Sequence, residues 1–425
     1  MQKSSKNWIT SVLVLASGWL LLYATRTVLS SALKDIGDYW GLSQSWLGIL
    51  SSSFFLSYTV LQIPSGFLAD KFGSRAMLVA GFAVQSAGLI LGSLSQNHIQ
   101  FLASRLLTGM GQATYFACQQ AIVSIIVPKA KKALGTALGV AGAGVGGALG
   151  FFVGKILSVG SYGWRMPFIV LGVTSMAFVG AVLLAVPEPK SFLQSNGTRR
   201  GGRDHALGSL PDTCQHDIEA NAVRASNAQS STFFMVSMCM AHFMTMYGFY
   251  LMLTWLPYYL ETVKGLDVGL STTIPVIMSL VMSPATVLAG YLFGRLKDKT
   301  LICRIALPVS ALAVMLVPLA GSTAILALAL ATYGATGKLV IDPSFVYYVG
   351  ESSPPEKRGT VFAVFNMAGA VAMTVAPAVT GFVAQATGSF DGNFYVAGAF
   401  NLAGLACFLA GVRMFSQELA RETEP

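Results

Sequence analysis

The sequence is poor in charge. Only 11% of its 425 residues are Asp, Glu, Lys or Arg, where a water-soluble domain carries about a quarter, and this excludes an ordinary soluble enzyme. Cysteine is sparse and scattered: Cys118, Cys214, Cys239, Cys303 and Cys407 form no CxxC pair, so neither a disulfide framework nor a zinc site is indicated. There is no Gly-rich loop ending in Gly-Lys-Ser/Thr, which argues against a nucleotide-driven pump. No metal and no cofactor are expected. What the chain has in excess is apolar sequence, 54% of its residues, enough for a dozen membrane spans of about 20 residues each.

Apolar windows fall near 8–31, 45–66, 77–96, 100–122, 133–158 and 166–186, then near 232–256, 271–293, 302–320, 323–347, 359–384 and 393–413. The first follows Lys3 and Lys6 but lacks the short core and cleavage pattern of a signal peptide, so it is read as a span. The expected fold is an all-α membrane protein with twelve transmembrane helices in two six-helix halves, residues 1–187 and 232–425. Between them, the polar stretch 188–231, with Arg199, Arg200 and Arg203, reads as a linker.

The excess of 27 Lys and Arg over 18 Asp and Glu would suit a nucleic-acid binder in a soluble chain. Here most basic residues fall at the termini, in the linker and in every second loop. The positive-inside rule then places both termini in the cytoplasm of a plasma membrane, a bacterial inner membrane in the simplest case. The partners expected are the lipid bilayer and a small solute, not nucleic acid; oligomeric state is not encoded in any motif. Three basic residues remain within spans, Arg26, Arg105 and Lys338, against one acid, Asp342. An embedded charge of about +2 costs several kcal/mol unless water or a ligand meets it, so the interior is suited to an anion.

Gly66-Phe-Leu-Ala-Asp70-Lys71-Phe-Gly73-Ser-Arg75 closely resembles the signature loop of the major facilitator superfamily. Its glycines permit a tight turn, while Asp70 and Arg75 can pair or cap neighbouring helix ends, making this a gating loop. A worn copy, Gly290-Tyr-Leu-Phe-Gly294-Arg295-Leu-Lys297, occupies the equivalent loop of the second half and has glycine where the acid would stand. Tyr23-Ala-Thr-Arg26, Gln62-Ile-Pro64-Ser-Gly66, Arg105-Leu-Leu-Thr-Gly109-Met-Gly111-Gln112, Leu253-Thr-Trp255-Leu-Pro257-Tyr-Tyr259 and Ser353-Pro-Pro355-Glu-Lys-Arg358 resemble the anion:cation symporter branch. That resemblance implies uptake of sugar acids, uronates or other carboxylates by alternating access, often with protons. It also implies that spans one, four, seven and ten line the central cavity, with Arg26, Arg105, Gln112, Tyr250 and Lys338 as substrate-binding residues. Proton-coupled members of the branch carry acids where this chain has Thr25 and Gln112, neither of which titrates. Asp342 and His242 are the coupling candidates left within spans.

Simpler readings stand beside these. Arg26 can snorkel to headgroups, Lys338 and Asp342 can neutralise each other as an i,i+4 pair, and His242 can be a packing residue. Pro343 suggests a kink that would expose the pair. Tyr23, Tyr58, Gln62, Tyr115, Gln119 and Asn366 are further cavity candidates, and Gly135, Gly139, Gly142, Gly146 and Gly150 predict close helix packing. The competing functions are an exporter of the same superfamily and a non-transporting membrane sensor. An intramembrane enzyme is disfavoured by the lack of a metal cluster and by the single embedded acid.

Overall fold

The computed structural model describes residues 2–127, 142–187, 232–353 and 358–423. The linker 188–231 and Gly135 and Gly139 lie outside the described residues, as does the side chain of Asp70. Every described regular element is helical. The first group is α1 (Gln2–Trp40), α2 (Gln44–Phe72), α3 (Ser74–Ser93), α4 (His98–Ala113), α5 (Tyr115–Ile126), α6 (Gly142–Ile156) and α7 (Arg165–Ala185). The second is α8 (Thr232–Thr262), α9 (Val268–Arg295), α10 (Leu301–Leu319), α11 (Thr323–Thr336), α12 (Lys338–Glu351), α13 (Arg358–Thr387) and α14 (Asp391–Thr423). In hydrocarbon a chain must satisfy its backbone internally, which is why these apolar runs are helices.

Eleven described helical stretches are long and apolar enough to span a membrane, α11 with α12 counting as one. The twelfth crossing is α4 followed by α5, each too short alone; Thr114 between them keeps right-handed helical angles. Span ten is interrupted more sharply, because Gly337 adopts an extended backbone between α11 and α12. The break thus falls just before Lys338 rather than at Pro343, which lies inside α12.

Contacts of α1 with α8 pair Arg26 with Tyr250 and Ser30 with Leu253, so the two helices run parallel, and α14 returns antiparallel to α8 through Phe415 and Phe234. Both chain ends therefore lie at one end of the bundle, here the terminal end. At the opposite, far end, Ser43, Asn97, Asp267 and Ser322 each accept a backbone N–H and start α2, α4, α9 and α11.

The two groups meet along three seams. Between α2 and α13, Gly48 lies against the backbone of Pro377 and Ala378, Ser52 accepts the Ala378 amide at 3.0 Å, and Thr59 reaches Thr374 at 3.1 Å. Between α6 and α9, Gly144 and Gly147 face Ser279 and Ser283. Between α1 and α8 run the Arg26 and Ser30 contacts. Among the described residues, hydrogen bonds and ion pairs between the groups lie from about the level of Arg26 and Thr59 to the far end, so the bundle is closed at the far end.

Within the first group α6 packs on α1 through glycines. A methyl group on Gly142, Gly146 or Gly150 would strike the backbone of Ala16, Leu20 or Ala24 respectively, which meets the expectation of small-residue packing. Gly150→Val is expected to separate α1 from α6 and to abolish recovery of monodisperse protein in detergent. Wild-type yield and elution from that variant would count against this seam as a packing requirement.

Candidate functional site

Arg26 is only 6% exposed at mid-bundle. Its Nε donates to Gln112 Oε1 at 3.1 Å and its Nη1 to the Tyr250 hydroxyl at 3.3 Å. The guanidinium lies over the rings of Tyr23 and Tyr58 at 5.0 and 5.1 Å. Nη2 is buried with no described hydrogen-bond partner, and no described carboxylate pairs with the group. Gln112 is itself oriented by donating to the Leu22 carbonyl at 3.2 Å. Three spans from both halves therefore converge on one cation that has a donor to spare. Arg26 is buried among ring faces, so the snorkelling reading does not describe it.

The residue beside it behaves differently. Thr25 is turned into the first group, donating to the Leu21 carbonyl at 2.8 Å and accepting from Gln85 at 3.5 Å. Of the two positions where the resemblance expects acids, only Gln112 touches the arginine. A glutamine accepts the Arg26 hydrogen bond without cancelling its charge.

Arg105 does not join this cluster by any described bond. It is 2% exposed, stacks on Phe54 at 4.6 Å, and its Nε and Nη1 have no described hydrogen-bond partner. Lys338 stands apart too. It is buried at the start of α12, paired with Asp342 one turn on, and lies 5.8 Å from the Phe345 ring. The pair is thus the neutralising i,i+4 arrangement, and the embedded excess of about +2 resides on Arg26 and Arg105. His242 packs on Phe365 at 4.0 Å and on Phe345 at 6.3 Å, with neither ring nitrogen hydrogen-bonded among the described residues.

The signature loop forms the expected turn. Gly73 has φ 97° and both ends α2 and starts α3, a conformation that suits glycine. Arg75 donates to the Leu183 carbonyl at the end of α7, one of the capping roles expected of it. Gly66 has open space around it, and Lys71 lies 5.4 Å from the Phe72 ring. In the second half Asp298, four residues after Gly294, supplies a carboxylate. It accepts from the Thr300 hydroxyl and amide at 2.6 and 2.8 Å and pairs with Arg304 at 3.3 Å. The Thr300 hydrogen bonds hold its carboxyl below the ordinary aspartate value.

A charge cluster absent from the sequence reading lies at the far end. Lys155 and Glu261, read from sequence as residues of loops or helix ends, are buried against each other, with Lys34 and Asp35 beside them. The apolar windows ended α1 and α8 too early: the helices run on to Trp40 and Thr262.

The family description Major Facilitator Superfamily matches residues 15–377. The chain belongs to the Major Facilitator Superfamily. It is a multi-pass membrane transporter for a small molecule, and not an enzyme. Relatives include a probable sulfoacetate transporter of Cupriavidus necator, 26% identical over 90% of this chain and 88% of the relative. A hexuronate transporter of Bacillus subtilis is 24% identical over 95% and 93%, and a voltage-gated purine nucleotide uniporter of Mus musculus 25% identical over 93% and 88%. Among solved structures, a D-xylose-proton symporter superposes with a TM-score of 0.72 at 16% identity, covering 96% of each chain. An inward-facing bacterial homologue of the lysosomal transporter Spinster does so with 0.70 at 16% identity, again over 96% of each. These likenesses concern the transporter's fold.

Proposed function

We propose that this transporter takes up a small organic anion, a sulfonate, sugar acid or other carboxylate, by alternating access and together with protons. The observation that carries the reading is Arg26. A buried guanidinium whose Nη2 has no described hydrogen-bond partner, with ring faces beside it and no described carboxylate partner, is matched by a planar or tetrahedral oxyanion, which a guanidinium binds through charge-assisted hydrogen bonds. The relatives' names support it, since sulfoacetate, hexuronate and purine nucleotides are all anions. Because Tyr250 belongs to the second half and Gln112 to the first, an anion on Arg26 binds where the halves meet. We take residues 1–187 and 232–425 as those halves, 188–231 as the linker, and the terminal end as cytoplasmic.

Thr25 and Gln112 leave proton coupling to another group, and Asp342 is our candidate. Asp342 is the acid that the sequence places within a span, and Lys338 holds it one turn away on the same helix. Asp342→Asn is therefore expected to flatten the pH dependence of uptake while exchange of labelled for unlabelled substrate continues. A wild-type pH response in that variant would remove Asp342 from the scheme.

The substrate class is tested by thermal stabilisation of purified protein against a panel of sulfonates, uronates, aldarates, aromatic acids and neutral sugars at two pH values. Stabilisation by an anion supports the reading, and stabilisation by neutral sugars alone sinks it. Flux into right-side-out cells compared with everted vesicles separates uptake from export.

A further inference from the structure

The far-end cluster joins the two halves by charge. Lys155 on α6 is 3.0 Å from Glu261 on α8 and 3.5 Å from Asp35 on α1. Lys34 adds a second, longer contact to Glu261 at 3.9 Å, and Ser271 on α9 donates to Glu261 at 3.1 Å. The Lys155 and Glu261 side chains are only 8% and 7% exposed, whereas Lys34 is 40% and Asp35 32% exposed. Lys34, Asp35 and Lys155 all belong to the first group and Glu261 to the second. Glu261 thus meets Lys155 and Lys34 only while the far end is shut. Parting the halves there leaves Glu261 with Ser271 alone, while Lys155 keeps Asp35 and Lys34 keeps Asp38 at 4.0 Å on the first group.

We propose that Lys155 and Glu261 are the far-end gate of the transport pathway, an ion pair made when that end closes and broken each time it opens. Their burial sets the strength of the gate. A surface pair would hold little, being screened by water and salt, whereas a buried pair shared with Asp35 and Ser271 is well bonded once formed. Removing one member leaves its partner with weaker company, Lys155 with the part-exposed Asp35, or Glu261 with Lys34 at 3.9 Å and Ser271, which favours the open arrangement where water reaches it. This gate works in either direction of transport and for any substrate, so it stands independently of the anion reading.

The test is distance measurement between nitroxides on full-length protein whose other reactive cysteines are replaced. One pair, Tyr39→Cys on α1 and Val268→Cys on α9, sits on exposed positions at the far end. A second pair, Phe67→Cys on α2 and Val364→Cys on α13, sits on exposed positions towards the terminal end. Glu261→Gln and Lys155→Met are each expected to raise the longer far-end population about tenfold or more and to shorten the terminal-end distance in step. The double variant should open no further than the single ones, because the bond is already lost. Lys155→Arg keeps the charge and should stay closed, and Glu261→Gln, nearly isosteric, carries the test if Lys155→Met does not fold. Unchanged far-end distances in Glu261→Gln overturn the proposal. So does multiplication of the two effects in the double variant, or loosening of the far end with no response at the terminal end.

Discussion

Replacement of Arg26 by alanine is expected to weaken binding of the transported anion by more than about a hundredfold, the usual cost of removing one side of a buried charge-assisted contact. The Arg26 guanidinium is held by Gln112 and Tyr250 and flanked by Tyr23 and Tyr58, so its orientation is fixed before the anion arrives. Arg26→Lys retains the charge but loses the fork, and an intermediate loss of about tenfold is expected. The melting temperature should not fall in Arg26→Ala, because the residue removed is a buried cation with no described ionic partner. Titration calorimetry on purified protein reads the affinity and a melting curve reads the fold. Unchanged affinity in a well-folded Arg26→Ala protein would place the anion elsewhere, with Arg105 the next candidate.

Gln112→Glu is the sharper experiment because it adds a function. The present amide oxygen lies 3.1 Å from Arg26 Nε, so a carboxylate there would form a buried ion pair and compete with the substrate for the same cation. Anion affinity near neutral pH should fall by about ten- to a hundredfold. Displacement by substrate leaves the new carboxylate uncompensated and favours its protonation, so affinity should recover as the pH falls. The variant would thereby couple a proton to anion binding at a site that in the wild type has no titrating partner. Affinity that is neither weakened nor pH-dependent would show that the substrate does not share the face of Arg26 that Gln112 occupies.

The fold was legible because the bilayer allows so few solutions: uninterrupted apolar runs become helices, and counting the runs pointed to twelve crossings. Charge in a span is rare enough that Arg26 stood out at once, and Gln112 and Tyr250 were named with it. Sequence gives depth along a helix but not which neighbour a side chain meets across the bundle. Lys338 was accordingly placed with Arg26 among the substrate-binding residues, whereas it pairs with Asp342 on its own helix, the simpler of the two readings. Thr25 and Gln112 looked equivalent as lost acids, yet one faces Gln85 and the other Arg26. Glu261 escaped notice because a hydropathy window stops where charge begins, although α8 continues past that point, and Lys155, inside the window 133–158, was taken for a helix-end residue. The interruption at Gly337 was missed for a related reason, since the neighbouring proline is the stronger local signal for a broken helix.

The glycine face of α6 has a mechanical consequence. Gly150 sits against Ala24 and Thr27, within one turn of Arg26, and Gly154 against Ser31, just before Lys34 and Asp35. No side chain on α6 stands between these backbones to be compressed or to swing aside, so α1 and α6 behave as one stiff strut. Arg26 and Lys155 are fixed points on that strut. A rotation of this closely packed pair of helices carries the guanidinium and the far-end ammonium together.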